Sequence, residues 1–220
     1  RCRRPASVMN VFPLTYRPAT RPATRLDGPL RAYWFSQVIG HDRGLANAIR
    51  AVGLLPRGSV ELHLRGSCDA ERERRVRALA EECNVPREQL ILHAPERPER
   101  MVTLAAEYDV GLALEEPVTA NRIICMDDLC TNKVFTYLLA GVALAATSAG
   151  EEREVYEGAG FVYPYARVEA LAAGWRRWLD DRAALQRAKD IAWRLGTERY
   201  NWETAKPNLV AAVGVSLAGH

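Results

Sequence analysis

Residues 132–147, NKVFTYLLAGVALAAT, decide how the chain is read. Behind a polar start, Val134, Tyr137, Leu138 and Gly141 recur at helical spacing, and the VALAAT that follows is apolar almost without a break. The first pattern is one face of a helix, and the second is a strand covered on both faces. A helix feeding directly into such a strand is half of a crossover between parallel strands, so units of the same kind are expected on either side.

Upstream, the apolar runs predict strands at 31–36, 60–64, 90–92 and 110–114. Helical faces separate them: Leu45, Ala48, Ile49 and Val52; Val76, Leu79, Ala80 and Cys83; then Met101, Leu104, Ala105 and Tyr108 behind Pro98, which suits a first turn. Residues 115–131 have no clean period and read as an irregular loop. Downstream, GEEREVYEG at 150–158 predicts a short helix, FVYP at 161–164 a sixth strand, and 168–179 and 182–195 two further helices. Pro207, Gly214 and Gly219 argue against a regular helix in the tail. Strands alternating with helices give an α/β fold with an open, mostly parallel sheet and helices on both faces. Ligands of such sheets sit beyond the carboxyl ends of the strands, here the loops 37–44, 65–69, 93–97, 115–131 and 147–151.

Three segments are expected: 1–30 as a linker, with a short extended piece around 8–14; 31–204 as the α/β domain; and 205–220 as a tail packing back on it. Pro5, Pro13, Pro18, Pro22 and Pro29 break up the first of these, and with no initiator methionine the sequence is expected to be a piece of something longer. At 220 residues, 48% of them hydrophobic, the chain can bury one good core. The formal charge is only +3, although Arg1, Arg3, Arg4, Arg17, Arg21 and Arg25 meet no acid before Asp27. No aromatic interleaving accompanies these arginines, so they read as a linker and not as a nucleic-acid surface. Cys2, Cys68, Cys83, Cys125 and Cys130 show no zinc spacing, and no metal is expected. An odd cysteine count without a secretory signal predicts a reducing, cytoplasmic setting. No apolar run reaches the roughly 20 residues that span a bilayer.

Candidate chemistry gathers at the predicted strand ends. The GHDRG loop, 40–44, sets Gly40 and Gly44 where backbone can approach a ligand ahead of a helix terminus, and Arg43 can grip a phosphate; a tight turn with a solvated arginine is the competing reading. Asn132 or Thr131 can cap the central helix. Lys133 stands in its first turn against the helix dipole, a conflict that a bound phosphate would resolve. Glu115 and Glu116 can accept hydrogen bonds from sugar hydroxyls or act as acid and base, or else be an ordinary solvated pair. His93 ends the third strand, facing either the crevice or a packed neighbour.

Taken in order, YWFSQVIGHDRGLANAIRAV, ELHLRG, LILHAP, PERMVTLAAEYDVGLAL, TNKVFTYLLAGVALAAT and EREVYEGAGFVYP resemble the C-terminal, nucleotide-sugar-binding half of a two-domain GT-B glycosyltransferase of the group 1 (GT4-like) type. The resemblance covers residues 31–203 and implies a Rossmann-like domain, one half of a GT-B architecture. It implies a nucleoside-diphosphate sugar as substrate, with no separate cofactor. It also implies an acceptor-binding partner, as an N-terminal domain or separate subunit, through which peripheral membrane contact is possible. It points to Gly40 and Arg43 for the diphosphate; Leu92, His93 and Ala94 for the base; Glu115 and Glu116 loosely for the acidic loop; and Asn132 and Lys133 for phosphate or sugar. Such enzymes commonly carry a glutamate for the donor ribose between the residues matching Phe135 and Tyr137. Here that position is Thr136, which cannot offer a charged bidentate acceptor. The alternatives are a nucleotide-sugar epimerase using Glu115 with His93, and a noncatalytic nucleotide-sugar-binding module.

Overall fold

A computed structural model describes residues 12–40, 43–118, 123, 131–148 and 153–218. Seven strands form one sheet: β1 (Leu30–Val38), β2 (Val60–Ser67), β3 (Leu90–His93), β4 (Val110–Ala113), β5 (Ala143–Ser148), β6 (Arg153–Val155) and β7 (Gly160–Pro164). Their order is β3-β2-β1-β4-β5-β7-β6, parallel throughout except for β6, which runs antiparallel to β7. The α/β fold with its open, mostly parallel sheet is therefore as the alternating pattern predicts. The helices are α1 (Leu45–Gly53), α2 (Ala70–Glu82), α3 (Met101–Ala105), α4 (Asn132–Ala140), α5 (Val168–Asp180), α6 (Arg182–Glu198) and α7 (Trp202–Ala218).

Period-two alternation splits β1 between two cores. Leu30, Ala32 and Trp34 enter one with α1, α2 and α5, while Tyr33 enters the other with α3, α4 and α6. The opening stretch folds as read. Residues 133–140 of α4 and all of β5 are buried. Gly141 ends the helix at φ 68°, and the Gly141 and Val142 amides donate to Leu138 and Tyr137 carbonyls at 3.1 and 3.0 Å. This Schellman closure needs the left-handed residue that glycine supplies without strain, and it turns the chain straight into β5.

Two expectations are corrected. Residues 153–155 form β6 where a helix was expected. Tyr156, Glu157 and Gly158 all have positive φ, so the chain turns back and pairs 153–155 with 160–162 of β7. The tail forms α7 despite Pro207. Asn201 Oδ1 accepts the Thr204 amide at 2.9 Å, Phe12 O accepts the Trp202 amide at 2.9 Å, and a start pinned this well tolerates the one bond that proline removes. The extended piece expected around 8–14 falls partly outside the described residues, and Leu14–Tyr16 is a 3-10 turn.

Residues 12–25 lie along α6. Arg17 donates to Thr197 Oγ1 at 2.8 Å with its guanidinium over the Trp193 ring, the Thr24 amide donates to Gln186, and Arg21 pairs with Asp190. Among the described residues no helix is long and apolar enough to cross a membrane, and no cluster of three metal-ligating side chains occurs.

Candidate functional site

Strand β1 lies between β2 and β4, so the connections diverge on either side of it and leave a crevice at the carboxyl ends. A cleft of about 700 Å³ occupies that place. Phe35, Ser36 and Gln37 line it from the end of β1, Arg43 from the following loop and Arg65 from β2. Pro95 and Glu96 come from the loop after β3, Glu115 from the end of β4, and Thr131, Asn132, Lys133 and Thr136 from the start of α4. Arg43, Glu115, Asn132, Lys133 and Thr136, scattered over more than ninety positions of sequence, thus share one wall-to-wall space.

Lys133 is only 8% exposed, and its Nζ lies 3.6 Å from Glu115 Oε1 and over the Trp34 ring. The carboxylate thereby offsets the charge that the lysine holds against the helix dipole. Beside it, Thr131 occupies the N-cap position without making a side-chain cap, and its buried hydroxyl has no partner among the described residues. A donor at a helix N-terminus next to Lys133, in a cleft that Arg43 also lines, is chemically suited to an anion.

Glu116 points elsewhere. Its Oε1 accepts the Gly44 amide at 2.8 Å, and its carboxylate also takes up the Tyr165 hydroxyl; burial first, and then this carboxylate, push that phenol's pKa up. Gly44 caps α1 at φ 74°, and a Cβ there would stand 3.0 Å from Leu114 Cβ. So Gly44 serves a tight turn whose amide is spent on Glu116, and this latch holds the loop that carries Arg43. Gly40 is half-buried and does not line the cleft; His41 lies outside the described residues.

His93 is not among the cleft-lining residues either. Its Nε2 lies 3.0 Å from His63 Nδ1, with the rings stacked at 5.3 Å, and His63 Nε2 lies 3.2 Å from Glu61 Oε2. The carboxylate must accept, which assigns the proton on His63 to Nε2 and makes His93 the donor between the rings. Burial lowers the pKa of both histidines, that of His63 to about 4. The pairing of His93 with Glu115 that an epimerase would need does not occur.

No protein-family model matches the chain, and no curated protein matches it in sequence. Solved structures do match. Sucrose-phosphate synthase from Thermosynechococcus elongatus superposes over 97% of this chain and 53% of its own, with a TM-score of 0.72 at 16% identity. HepE from Anabaena, solved in complex with UDP-glucose, superposes over 94% of this chain and 57% of its own, with a TM-score of 0.72 at 14% identity. The C-terminal domain of a group 1 glycosyl transferase (LpcC) from Francisella tularensis covers 79% of this chain and 86% of its own, with a TM-score of 0.58 at 12% identity. This is a GT-B-like glycosyltransferase fold. The chain spans about half the length of the synthase and of HepE.

Within this GT-B-like frame, Thr136 is fully buried at the cleft wall, and its hydroxyl donates to Asn132 O at 3.0 Å. The hydroxyl proton is spent within the helix, and only the oxygen's acceptor capacity remains. Sequence reasoning missed Arg65, Phe35, Gln37 and Phe12 as lining residues. The signal for Arg65 was present in the alternation of Glu61, His63 and Arg65 on one face of β2, a polar face that an ordinary buried strand would not carry.

Proposed function

We propose that the cleft binds a nucleoside-diphosphate sugar and that residues 31–204 form the donor-binding half of a sugar transferase, joined through 1–30 to an acceptor-binding domain or subunit, with 205–220 as a flanking tail. The observation that carries this is a helix N-terminus with Lys133 and a Thr131 hydroxyl that has no partner among the described residues, in a cleft at the sheet's switch point that Arg43 also lines. The bond between the anomeric carbon and the β-phosphate oxygen breaks, and its electrons pass to the nucleoside diphosphate. Arg43, Lys133 and the α4 terminus stabilise the charge that develops there. Glu115 sets the position of the lysine. The acceptor and the base that takes its proton belong to the partner domain in this reading, and the setting is the cytoplasm.

Calorimetry of the chain with nucleoside diphosphates tests the proposal. Binding in the micromolar to low millimolar range, lost in Lys133→Gln and Arg43→Gln, is expected. A folded chain that binds none of them at millimolar concentration overturns it. A noncatalytic nucleotide-sugar-binding module is the second reading. It is favoured by Thr136, whose hydroxyl proton is spent inside α4 where the resemblance places a ribose-binding carboxylate. Turnover of a donor sugar by the assembled protein would exclude it.

A further inference from the structure

Strands β4, β5 and β7 are neighbours in the sheet and end together on the side of the cleft. Pro164 of β7 pairs with Ser148 of β5, and the Tyr165 amide extends that ladder by donating to Ser148 O at 3.1 Å. Tyr165 thus leaves β7 with its backbone held by the sheet. Its carbonyl accepts Asn47 Nδ2 at 2.5 Å, and Asn47, buried, sits in the first turn of α1. Its hydroxyl goes to the Glu116 carboxylate, whose Oε1 accepts the Gly44 amide at 2.8 Å. One residue after β7 therefore reaches both the last residue of the Arg43 loop and the helix turn that follows it. The frame around these contacts is stiff. The Glu115 amide donates to Thr147 Oγ1 at 2.8 Å and that hydroxyl donates back to the Glu115 carbonyl at 3.0 Å, so β5 pins the backbone just before Glu116. Burial first, and then the carboxylate, keep the phenol's pKa raised, so at neutral pH the hydroxyl holds its proton and donates. A carboxylate held by two donors, an amide and a phenol, swings less than one held by the amide alone.

We propose that Tyr165 is a positioning residue for the phosphate-binding wall: through Glu116 and Asn47 it holds the Gly44 turn, and that turn presents Arg43 to the cleft. Resting on the donor-cleft reading above, the proposal adds a residue that acts from outside the site, since Tyr165 is not among the cleft-lining residues. Arg43 is one peptide bond from Gly44, so slack at the turn reaches its guanidinium directly. Bidentate hydrogen bonding to a phosphate tolerates little misplacement.

Calorimetry of the full chain with UDP, GDP, ADP and CDP, combined with amide hydrogen exchange, tests this. Tyr165→Phe removes the hydroxyl and keeps both the ring and the carbonyl bond to Asn47. It should weaken whichever of these diphosphates the unaltered chain binds by roughly threefold to tenfold, the range of one hydrogen bond. Amides of residues 43–47 should exchange faster while those of β1 and β4 keep their protection, a pattern that a general loss of stability does not produce. In a Glu116→Ala background, Tyr165→Phe should cost no further affinity, because the two side chains act in series. Glu116→Gln, which keeps an acceptor for the Gly44 amide, should recover most of what Glu116→Ala loses. Unchanged affinity in Tyr165→Phe, or a loss by the same factor with and without Glu116, overturns the positioning role and leaves the donor cleft standing. Failure of the unaltered chain to bind any of the four overturns the donor cleft itself and this proposal with it.

Discussion

Each end of β4 carries a lysine–carboxylate pair, and the two pairs differ in what surrounds them. At the entry end, Lys189 Nζ lies 3.7 Å from Asp109 Oδ1, with side chains only 1% and 2% exposed. Asp109 Oδ2 accepts the Arg31 amide at 2.9 Å, and the ammonium lies 3.4 Å from the Ala23 and Tyr108 carbonyls. That pair ties together the segment before β1, the start of β4 and helix α6. At the exit end, the Lys133–Glu115 pair has side chains 10% exposed and opens onto the cleft beside the start of α4. Access separates the two pairs. A sealed pair holds elements in register, while the open side of the other is where the proposed donor's phosphates would dock.

The largest expected effect breaks the sealed pair. Asp109→Ala leaves the Lys189 charge buried without its partner, and denaturant unfolding should show a loss of about 3–5 kcal/mol. A loss below about 1 kcal/mol would mean that the entry-end pair holds nothing together. A pH titration adds a third buried ionisable site to the comparison. His63 titrates near 6.5 unfolded and at about 4 folded, so the unfolded chain takes up its proton first. Stability is full above about pH 6.5 and falls as the pH drops towards 4, by roughly 2 kcal/mol at pH 4.5. His63→Gln should flatten that decline in chemical-denaturation midpoints, and an unchanged slope would remove His63 from the account.

The open pair is tested by binding. Lys133→Gln should weaken nucleoside diphosphates on the order of tenfold to a hundredfold, with a smaller effect on stability than the Asp109 change. If binding is intact and only stability falls, the exit-end pair is structural like the other. The smallest effect belongs to Glu116→Ala. It frees the Gly44 amide and should cost about 1 kcal/mol in stability, with a few-fold loss in binding as the Arg43 loop loosens. Binding lost as completely as in Lys133→Gln would show Glu116 touching the ligand itself.

The elements that were legible in the sequence share a property. The stretch from Asn132 to Gly141 and the apolar strands are buried on predictable faces, so their period survives whatever packs against them. The hairpin of β6 and β7 was illegible because its turn depends on left-handed conformations at Tyr156 and Glu157, residues that do not announce one. Helix α7 was illegible because Phe12 and Asn201, not its own composition, pin its start. The candidate site divides in the same way. Lys133 was visible because a cation in a first helical turn defies the dipole. Arg65 was hidden in a strand pattern that names no function. Glu115 and Glu116 looked equivalent, and only their opposite orientations at the strand end distinguish a cleft carboxylate from a loop latch.

The amino-acid sequence by itself determined the layered α/β architecture, since alternation and helical spacing are local properties that any burial of apolar faces must respect. It also pointed to the carboxyl ends of the strands as the place to seek function. The tertiary structure alone decided the strand order, and with it the switch point that gathers Arg43, Arg65, Glu115 and Lys133. It also removed His93 and Glu116 from the cleft wall and gave one lysine a seal and the other an opening. Proximity between residues far apart in the chain, and the access of solvent to them, are set by how the elements dock, and no local pattern encodes that.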